Sequence, residues 1–269
     1  AEKALKSGDA VAAKAAIESA SGLIGGADDK MKAEYYLLRG NIYQDLAQKG
    51  DATAFDVAIK GYNDLIALEA QTGKQKYTVE AQQKLTAISG DLVNSAVTDN
   101  QEKRFTEAGE KLYMSYNLSK KDTIYLYYAA SSAVNGGHYE QALTYYNELK
   151  DVGYDGSEMK YTAVNIETGE VEEMAKNQRE LMMKAGAYKD PKDEKTSSKT
   201  SEIVKNIALI YTQLGQDDKA LEAYRDARAT DPSDVNLILN EANLYFKLGD
   251  KEKFKALMSE AAEVRQFKN

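Results

Sequence analysis

A 34-residue internal period is the feature that most constrains how this chain folds. Tyr211 and Tyr245 are separated by that spacing, and so are Gly215 and Gly249. A fixed period of this length is typical of solenoids, in which each unit is one supersecondary element stacked on the next. Because such units bury their apolar faces against their neighbours, the period predicts a repeat array rather than one globular core.

The composition favours long helices joined by glycine turns. The chain has 269 residues with only 2 prolines and 18 glycines, so helical segments run with few interruptions and glycine supplies most of the breaks. Hydrophobic residues make up 43% of the chain, which is enough to bury a sizeable core. The sequence therefore predicts an all-α fold.

Residue types at fixed offsets within the repeat resemble the tetratricopeptide-repeat family. Ala208 and Tyr211 hold the small and aromatic positions of a first helix, and Ala220 and Tyr224 hold those of a second. Pro232 closes the unit. The resemblance implies a right-handed solenoid of helix pairs that binds other polypeptides. Small side chains at the two alanine positions imply close helix contact, so we expect both alanines to be buried.

The last copy of the repeat fits the family pattern less closely. Phe254 stands at the small position of its second helix and Met258 at the aromatic position. Such a departure is expected of a terminal repeat, whose outer face has no successor to pack against. The equivalent tyrosines of the last two first helices, Tyr211 and Tyr245, are predicted to be buried between units.

Segments nearer the N-terminus keep the same register. Residues 123–150 and 90–122 each place small and aromatic side chains at matching offsets. Residues 33–73 do so as well, with Gly40 at the first-helix small position and Tyr62 at the second-helix aromatic position. We therefore predict N-terminal repeats over residues 1–151.

An insertion interrupts the array between residues 152 and 199. Thr168 and Gly169 indicate the turn of a β-hairpin, because glycine adopts positive φ without strain. Residues 174–188 predict a helix, and residues 189–200, rich in charge and in Ser, Thr and Lys, predict a mobile loop. The insertion is interpreted either as a decorated turn or as a ligand flap.

The C-terminal repeats are expected over residues 200–269, beyond this insertion. The predicted fold class is therefore an all-α, right-handed solenoid of the tetratricopeptide type that carries a small β-hairpin insertion.

Groups that carry catalysis or bind metals are scarce. The chain has no cysteine and one histidine, His138, so multi-histidine and thiolate metal sites are excluded. Asp151 and Asp155 resemble the start of a calcium loop, but Thr162 stands where the bidentate glutamate is needed. No glycine-rich phosphate loop is present. We predict no catalytic residue, no metal site and no cofactor, and hence no enzyme.

Charge and hydropathy bound the partners. The 43 acidic and 35 basic side chains leave a net charge of -8, which disfavours nucleic-acid binding. No apolar stretch approaches the roughly 18 residues of a membrane span. The Tyr-rich and Asn-rich, cysteine-free style resembles envelope proteins of the Bacteroidetes group. That likeness implies a periplasmic or envelope-associated protein, with the cytoplasm as the alternative.

The predicted partner-binding surface is the concave face of the first helices, because stacking consumes the other faces. Its mixture of apolar and hydrogen-bonding side chains favours an extended peptide or a helix bound in a groove. A glycan-binding or glycan-handling accessory protein is the alternative, since 19 tyrosines could line a sugar-binding face. The predicted surface residues are Tyr127, Ser131, Lys205, Leu209, Thr212, Leu239, Asn240, Asn243 and Phe246.

Overall fold

The computed structural model describes residues 1–267, which form thirteen α-helices and one three-stranded sheet. The helices of the first half are α1 (Glu2–Lys6), α2 (Ala10–Ser21), α3 (Asp29–Gln48), α4 (Ala54–Thr72), α5 (Thr78–Gln101), α6 (Phe105–Leu118) and α7 (Thr123–Asn135). Those of the second half are α8 (Tyr139–Asp151), α9 (Lys176–Lys184), α10 (Thr200–Gln213), α11 (Asp217–Thr230), α12 (Val235–Lys247) and α13 (Lys251–Phe267). The strands are β1 (Met159–Asn165), β2 (Val171–Glu173) and β3 (Tyr188–Lys195).

The chain divides into two compact units, Ala1–His138 and Tyr139–Asn269. Within each unit, helices that follow one another pack as pairs, such as α3 with α4 and α10 with α11. The predicted all-α helical-repeat fold is confirmed, and so is its β-containing insertion, which lies wholly inside the second unit.

Two glycines let α3 and α4 cross at close range in the first unit. A Cβ placed on Gly61 would lie 2.9 Å from the Gly40 backbone nitrogen and 3.1 Å from the Tyr36 carbonyl oxygen. A Cβ on Gly40 would meet the Tyr62 ring at 2.5 Å. Interiors as dense as a crystal leave no room for these atoms. The crossing therefore requires glycine at both positions.

The repeat register of the second unit is confirmed by burial. Ala208 and Ala220, at the predicted close contact between α10 and α11, have no exposed surface. Tyr245 is buried as expected, but Tyr211 is only half-buried. The prediction that Tyr211 is fully buried was therefore wrong. Its ring is partly exposed to solvent, and the Lys219 ammonium lies 5.6 Å from the ring centroid.

The insertion folds into an antiparallel sheet with the strand order β2-β1-β3. Val164 pairs with Val171 on either side of the first turn, and Gly169 has a φ of +73° there. The predicted hairpin and the predicted helix, which is α9, are both confirmed.

The segment expected to be a mobile loop instead supplies β3 at an edge of this sheet. Thr162 pairs with Lys192 and Val164 with Lys189, so Asp190 and Pro191 of β3 lie opposite Ala163 alone and the register shift accommodates one extra residue. Proline is tolerated at such a bulge because it has no N–H to donate to a ladder. Main-chain pairing with β1 needs no apolar side chain, which is why the composition of the segment was misleading.

Arg179 on α9 anchors β3 from one face of the sheet. This arginine is buried, and its Nη1 donates to the Lys192 carbonyl oxygen at 2.9 Å and lies 2.6 Å from Asp193 Oδ1. Its guanidinium carbon lies 5.3 Å from the Tyr161 ring centroid. A strand in which six of eight side chains are charged is therefore held by a cation supplied by the adjacent helix.

We predict that Gly61→Ala destabilises the first unit, because the added methyl group would collide with the α3 backbone. Overpacking of this kind costs about 1–3 kcal/mol. The matched control is Gly90→Ala in α5, where an added Cβ would meet nothing within 4 Å. There the better helix propensity of alanine stabilises by about 0.5–1 kcal/mol. Urea unfolding followed by circular dichroism measures both changes. A Gly61→Ala variant as stable as the parent would contradict the packing.

Candidate functional site

One side of α12 is buried in the second unit, and the other carries four of the predicted surface residues. Asn243 is exposed, and Leu239 and Asn240 are half-buried. Phe246 is 61% exposed. Because residues three and four apart share a helix face, these side chains form one continuous stripe, which we call the α12 stripe: Leu239, Asn240, Asn243 and Phe246.

The apolar end of the α12 stripe is an aromatic pair. The ring centroids of Phe246 and Phe254 lie 5.1 Å apart, with an angle of 50° between the ring planes. This tilted contact is a favourable aromatic geometry. Since Phe254 belongs to α13, the pair fixes the exposed Phe246 ring against a second helix and gives the stripe a pre-positioned apolar contact.

The predicted residues of α10 are more occupied by contacts within the protein. Lys205, Leu209 and Thr212 are all half-buried. The Thr212 hydroxyl donates to the Ala208 carbonyl oxygen at 3.0 Å. The Lys205 ammonium donates to Asp234 Oδ2 at 2.8 Å. Leu209, the third of these residues, is apolar, so its half-buried side chain offers a partner only an apolar contact.

The contact between Lys205 and Asp234 ties α10 to α12. Asp234 is the N-cap residue of α12 and accepts from the backbone N–H groups of Asn236 at 2.8 Å and Leu237 at 3.3 Å. Burial raises the pKa of the Asp234 carboxyl, but hydrogen bonds from Lys205 and Asn236 lower it by more, so the pKa lies below its ordinary value. Lys205 thus positions the start of the helix that bears the α12 stripe.

The remaining two predicted residues, Tyr127 and Ser131, lie on α7 in the first unit. Tyr127 is only 8% exposed, and its ring centroid lies 5.7 Å from that of Tyr128. Ser131 is half-buried. Tyr127 therefore has little surface to offer a partner, because its neighbour Tyr128 takes the exposed position.

The first unit contains a groove, lined by aliphatic side chains together with Glu2, Lys6 and Glu34, that the sequence did not predict. Its volume is about 820 Å³. Leu37, Leu38 and Asn41 of α3 form one wall, and Leu5 and Ile17 of the two preceding helices lie on the other.

The repeat register is the signal that would have located this groove. Gly40 occupies the small position that Ala208 holds in α10. Three residues before that position stand Leu37 on α3 and Lys205 on α10. One residue after it stand Asn41 on α3 and Leu209 on α10. On α3, the positions equivalent to the predicted surface residues therefore line this groove, although no residue of α3 was among those predicted.

Many of the tyrosines that could have lined a sugar-binding face are core residues. Tyr145 and Tyr146 on α8 are buried, and Tyr62, Tyr116 and Tyr224 are among the largest fully buried side chains. Rings consumed by packing are not available to stack on a sugar. The aromatic content therefore reflects repeat packing.

The described residues, 1–267, show no sign of a metal site or of a membrane-spanning helix. Among them no group of three or more His, Cys, Asp or Glu side chains is arranged to hold a metal ion. In the same part of the chain, no helix is both long and apolar enough to cross a membrane. His138 is exposed in the turn after α7, and its Nε2 lies 2.6 Å from the Thr106 hydroxyl.

Paired helices with a 34-residue period and a partly free first-helix face define a helical-repeat protein. More particularly, the family model of the tetratricopeptide repeat matches residues 206–234 and 235–267. The family resemblance seen in the sequence is confirmed for these two copies, which run from within α10 to the end of α13.

The similar proteins include the photosystem I assembly protein Ycf3 of Synechococcus sp. (strain CC9605). It is 36% identical over 56 residues, which is 21% of this chain and 32% of that protein. Among solved structures, MamA from Desulfovibrio magneticus RS-1 aligns with a TM-score of 0.44 and 12% identity, over 88% of this chain and 97% of that one. YrrB, a tetratricopeptide-repeat protein with an unusual peptide-binding site, gives 0.39 and 13% over 87% of each chain. The partner of this chain has to be argued from its own residues.

We predict that Asp234→Asn destabilises the second unit at neutral pH, because it removes the negative charge that Lys205 and the positive end of α12 stabilise. Asparagine still accepts hydrogen bonds at an N-cap, so the expected loss of about 1–2 kcal/mol comes from the charge. The folded-state pKa of Asp234 is lowered, so its contribution is present above the unfolded pKa and is lost as the pH falls through the folded pKa.

Urea unfolding at pH 7 and near pH 3 tests this assignment. The difference between the parent and Asp234→Asn is expected to shrink at the lower pH. The exposed Asp226, which lies 4.0 Å from the Lys150 ammonium, provides the control, and Asp226→Asn is expected to change little. A difference for Asp234→Asn that is independent of pH would rule out the ionised cap.

Proposed function

We propose that this protein is a non-enzymatic scaffold or adaptor that binds a protein or peptide partner along its first-helix faces. The observation that carries the proposal is the α12 stripe, in which an exposed aromatic ring lies beside two side-chain amides on one rigid helix. Among residues 1–267, the side-chain amides of Asn240 and Asn243 make no hydrogen bond with another part of the protein. Both amides are therefore able to bond an incoming chain.

The chemistry of the stripe suits a polypeptide main chain. Each asparagine amide offers donors and an acceptor, which match the N–H and C=O groups of a peptide. Leu239 and Phe246 add apolar contacts on either side. A pocket with a few polar groups among apolar ones is typical of recognition surfaces. Lys205 supports this stripe as a positioning residue, since its ammonium is bound to Asp234.

The groove beside α3 extends the same proposal to the first unit. There the equivalent positions are Leu37 and Asn41, the same residue types as Leu239 and Asn243 on α12. Leu5, Ile17 and Leu38 add aliphatic side chains to the lining of the groove. An amphipathic helix that buries an aliphatic stripe fits such a groove better than a polar extended strand does.

The sequence relative supports a role that acts on other polypeptides. Ycf3 is a photosystem I assembly protein, and we propose by analogy that this chain holds proteins rather than transforming a substrate. The glycan-handling alternative gains no support from the similar proteins. The cell-envelope location expected from the sequence is part of the proposal, and fractionation of the native host tests it.

Site-specific photocrosslinking tests the α12 stripe directly. A photoreactive amino acid at Asn243 is expected to crosslink a polypeptide in the native host, identified by mass spectrometry. The same residue placed at Leu181, which is 66% exposed on α9, is the matched control for a merely exposed position. The double variant Leu209→Asp and Asn243→Asp is expected to abolish capture of the identified partner while the melting curve stays close to that of the parent. Equal crosslinking from both positions would contradict a specific surface.

A further inference from the structure

The sheet of the insertion has two edges, and only one of them is protected against a further strand. The strand order β2-β1-β3 places β2 at one edge and β3 at the other. Edge strands expose unpaired N–H and C=O groups, and proteins blunt them with proline, bulges and charged side chains. β3 has all three, namely Pro191, the register shift opposite Ala163, and six charged side chains.

The edge formed by β2 has neither proline nor a bulge. Its register with β1 is regular, from Thr162 opposite Glu173 to Val164 opposite Val171. Val171 is 68% exposed. After β2 the main chain is still extended at Ala175, with φ of -63° and ψ of 144°. We call this extended stretch, residues 171–175, the β2 edge.

The ladder between β1 and β2 shows which main-chain groups point outward. The Met174 N–H donates to the Tyr161 carbonyl oxygen at 3.0 Å. In an antiparallel pair, residues that bond the partner strand alternate with residues that do not, so the N–H and C=O groups of Val171 and Glu173 point away from β1. Among residues 1–267, no strand lies on that side of β2. Two donors and two acceptors are therefore presented with the spacing of a β-ladder.

The side chains of these two residues share one face of the sheet. Because Val171 lies opposite Val164 and Glu173 opposite Thr162, an aliphatic group and a carboxylate stand two residues apart on that face. The Lys160 ammonium donates to Glu173 Oε2 at 3.0 Å, so this carboxylate already accepts one cation from the same face. A strand added to β2 would place two of its own side chains opposite this pair.

The surroundings of the β2 edge are acidic. Residues 166–173 contain four glutamates and no basic residue: Glu167, Glu170, Glu172 and Glu173. Glu167 and Glu170 are exposed and have no ion pair in the described part of the chain. Like charges on paired strands are destabilising, so pairing with the β2 edge of a second copy is disfavoured. The charge instead favours a basic strand.

We propose that the β2 edge is a docking site for an extended, basic segment of another polypeptide, which adds to the sheet as a fourth strand. That segment carries a β-branched aliphatic residue opposite Val171 and a lysine or arginine opposite Glu173, two residues apart. Main-chain hydrogen bonds supply affinity and the side-chain pair supplies specificity. The site lies outside the first-helix faces, so it gives the insertion a binding role that is independent of the α12 stripe.

The small size of the exposed apolar area favours an extended chain over a helix. The β2 edge offers one exposed aliphatic side chain, Val171, whereas a docked helix buries a stripe of several apolar side chains. The main-chain groups of a helix are also paired internally. A helix would therefore leave the outward N–H and C=O groups of Val171 and Glu173 unmatched, and an extended chain satisfies them.

Designed peptides provide the probe. A fluorescein-labelled peptide of roughly eight residues, an ordinary strand length, alternates threonine with valine or lysine, so that valine and lysine stand two residues apart. Fluorescence anisotropy with the whole protein is expected to show binding that weakens as salt is added. Amide hydrogen exchange is expected to slow at Val171 and Glu173, because their N–H groups become paired.

N-methylated peptides test the main-chain pairing. The valine and lysine residues lie opposite residues whose main-chain groups point outward, so their own N–H groups face β2 and those of the threonines face away. N-methylation at valine and lysine is expected to abolish binding, and N-methylation at the threonines to leave it intact. A peptide with glutamates in place of the lysines is expected not to bind.

Variants of the whole protein locate the binding. Val171→Pro removes an outward N–H that does not bond β1, so the sheet is retained and the affinity is expected to fall at least about tenfold. Glu170→Lys with Glu173→Lys is expected to weaken binding similarly. Glu180→Lys with Glu194→Lys makes the same change in net charge at exposed positions on α9 and β3, so the affinity is expected to stay unchanged. Circular dichroism and melting curves confirm that each variant is folded.

Three results would overturn the proposal. The first is equal affinity of the parent and the folded Val171→Pro variant, and the second is undiminished binding of the peptide methylated at valine and lysine. The third is self-association in light scattering that Val171→Pro abolishes, which would make a second copy the occupant. Leu209→Asp with Asn243→Asp is expected to retain peptide binding, which separates the β2 edge from the α12 stripe.

Discussion

Close approach of two antiparallel helices is the constraint on which the rest of this structure depends. In the second unit it is met by alanines at positions 208 and 220, which have no exposed surface, and in the first by Gly40 and Gly61, whose backbones touch. Any side chain at the two glycines, or one larger than a methyl group at the two alanines, would separate the pair. Because each pair turns one fixed side inward, the opposite side of a first helix such as α12 stays available. The small residues therefore determine both the core and the location of the candidate binding surfaces.

Tyrosine rings fill the space left by these small residues, which explains why so many of the tyrosines are buried. Tyr62 is fully buried over Gly40, and its hydroxyl lies 2.7 Å from Asn41 Oδ1 and 2.8 Å from Gln44 Oε1. Burial raises the pKa of Tyr62 well above its ordinary value, so the ring stays neutral while its hydroxyl is satisfied by amides. A tyrosine-rich sequence is thus a consequence of packing bulky amphipathic rings against glycine and alanine.

The sequence predicted those features that repeat and missed those that depend on a single long-range contact. Helix pairs, buried alanines and the Gly169 turn follow from local spacing, which the 34-residue period makes visible. Strand β3 does not, because it depends on main-chain pairing with β1 and on Arg179, and neither has a signature in residues 189–200. The role of Lys205 was likewise hidden. Its partner Asp234 lies 29 residues further along the chain, and a lysine on a predicted surface gives no sign that its charge is already bound.

In this protein, basic side chains that are paired with a carboxylate support the fold, and basic side chains that are not paired are the candidates for contact with a partner. Lys205 and Arg228 each hold the next first helix through a carboxylate, and both are partly covered by that contact. Lys251 and Lys255 on α13, by contrast, are exposed. A cation of these repeats is therefore a supporting residue where a carboxylate of the next first helix covers it, and only a cation without such cover has its charge available to another molecule.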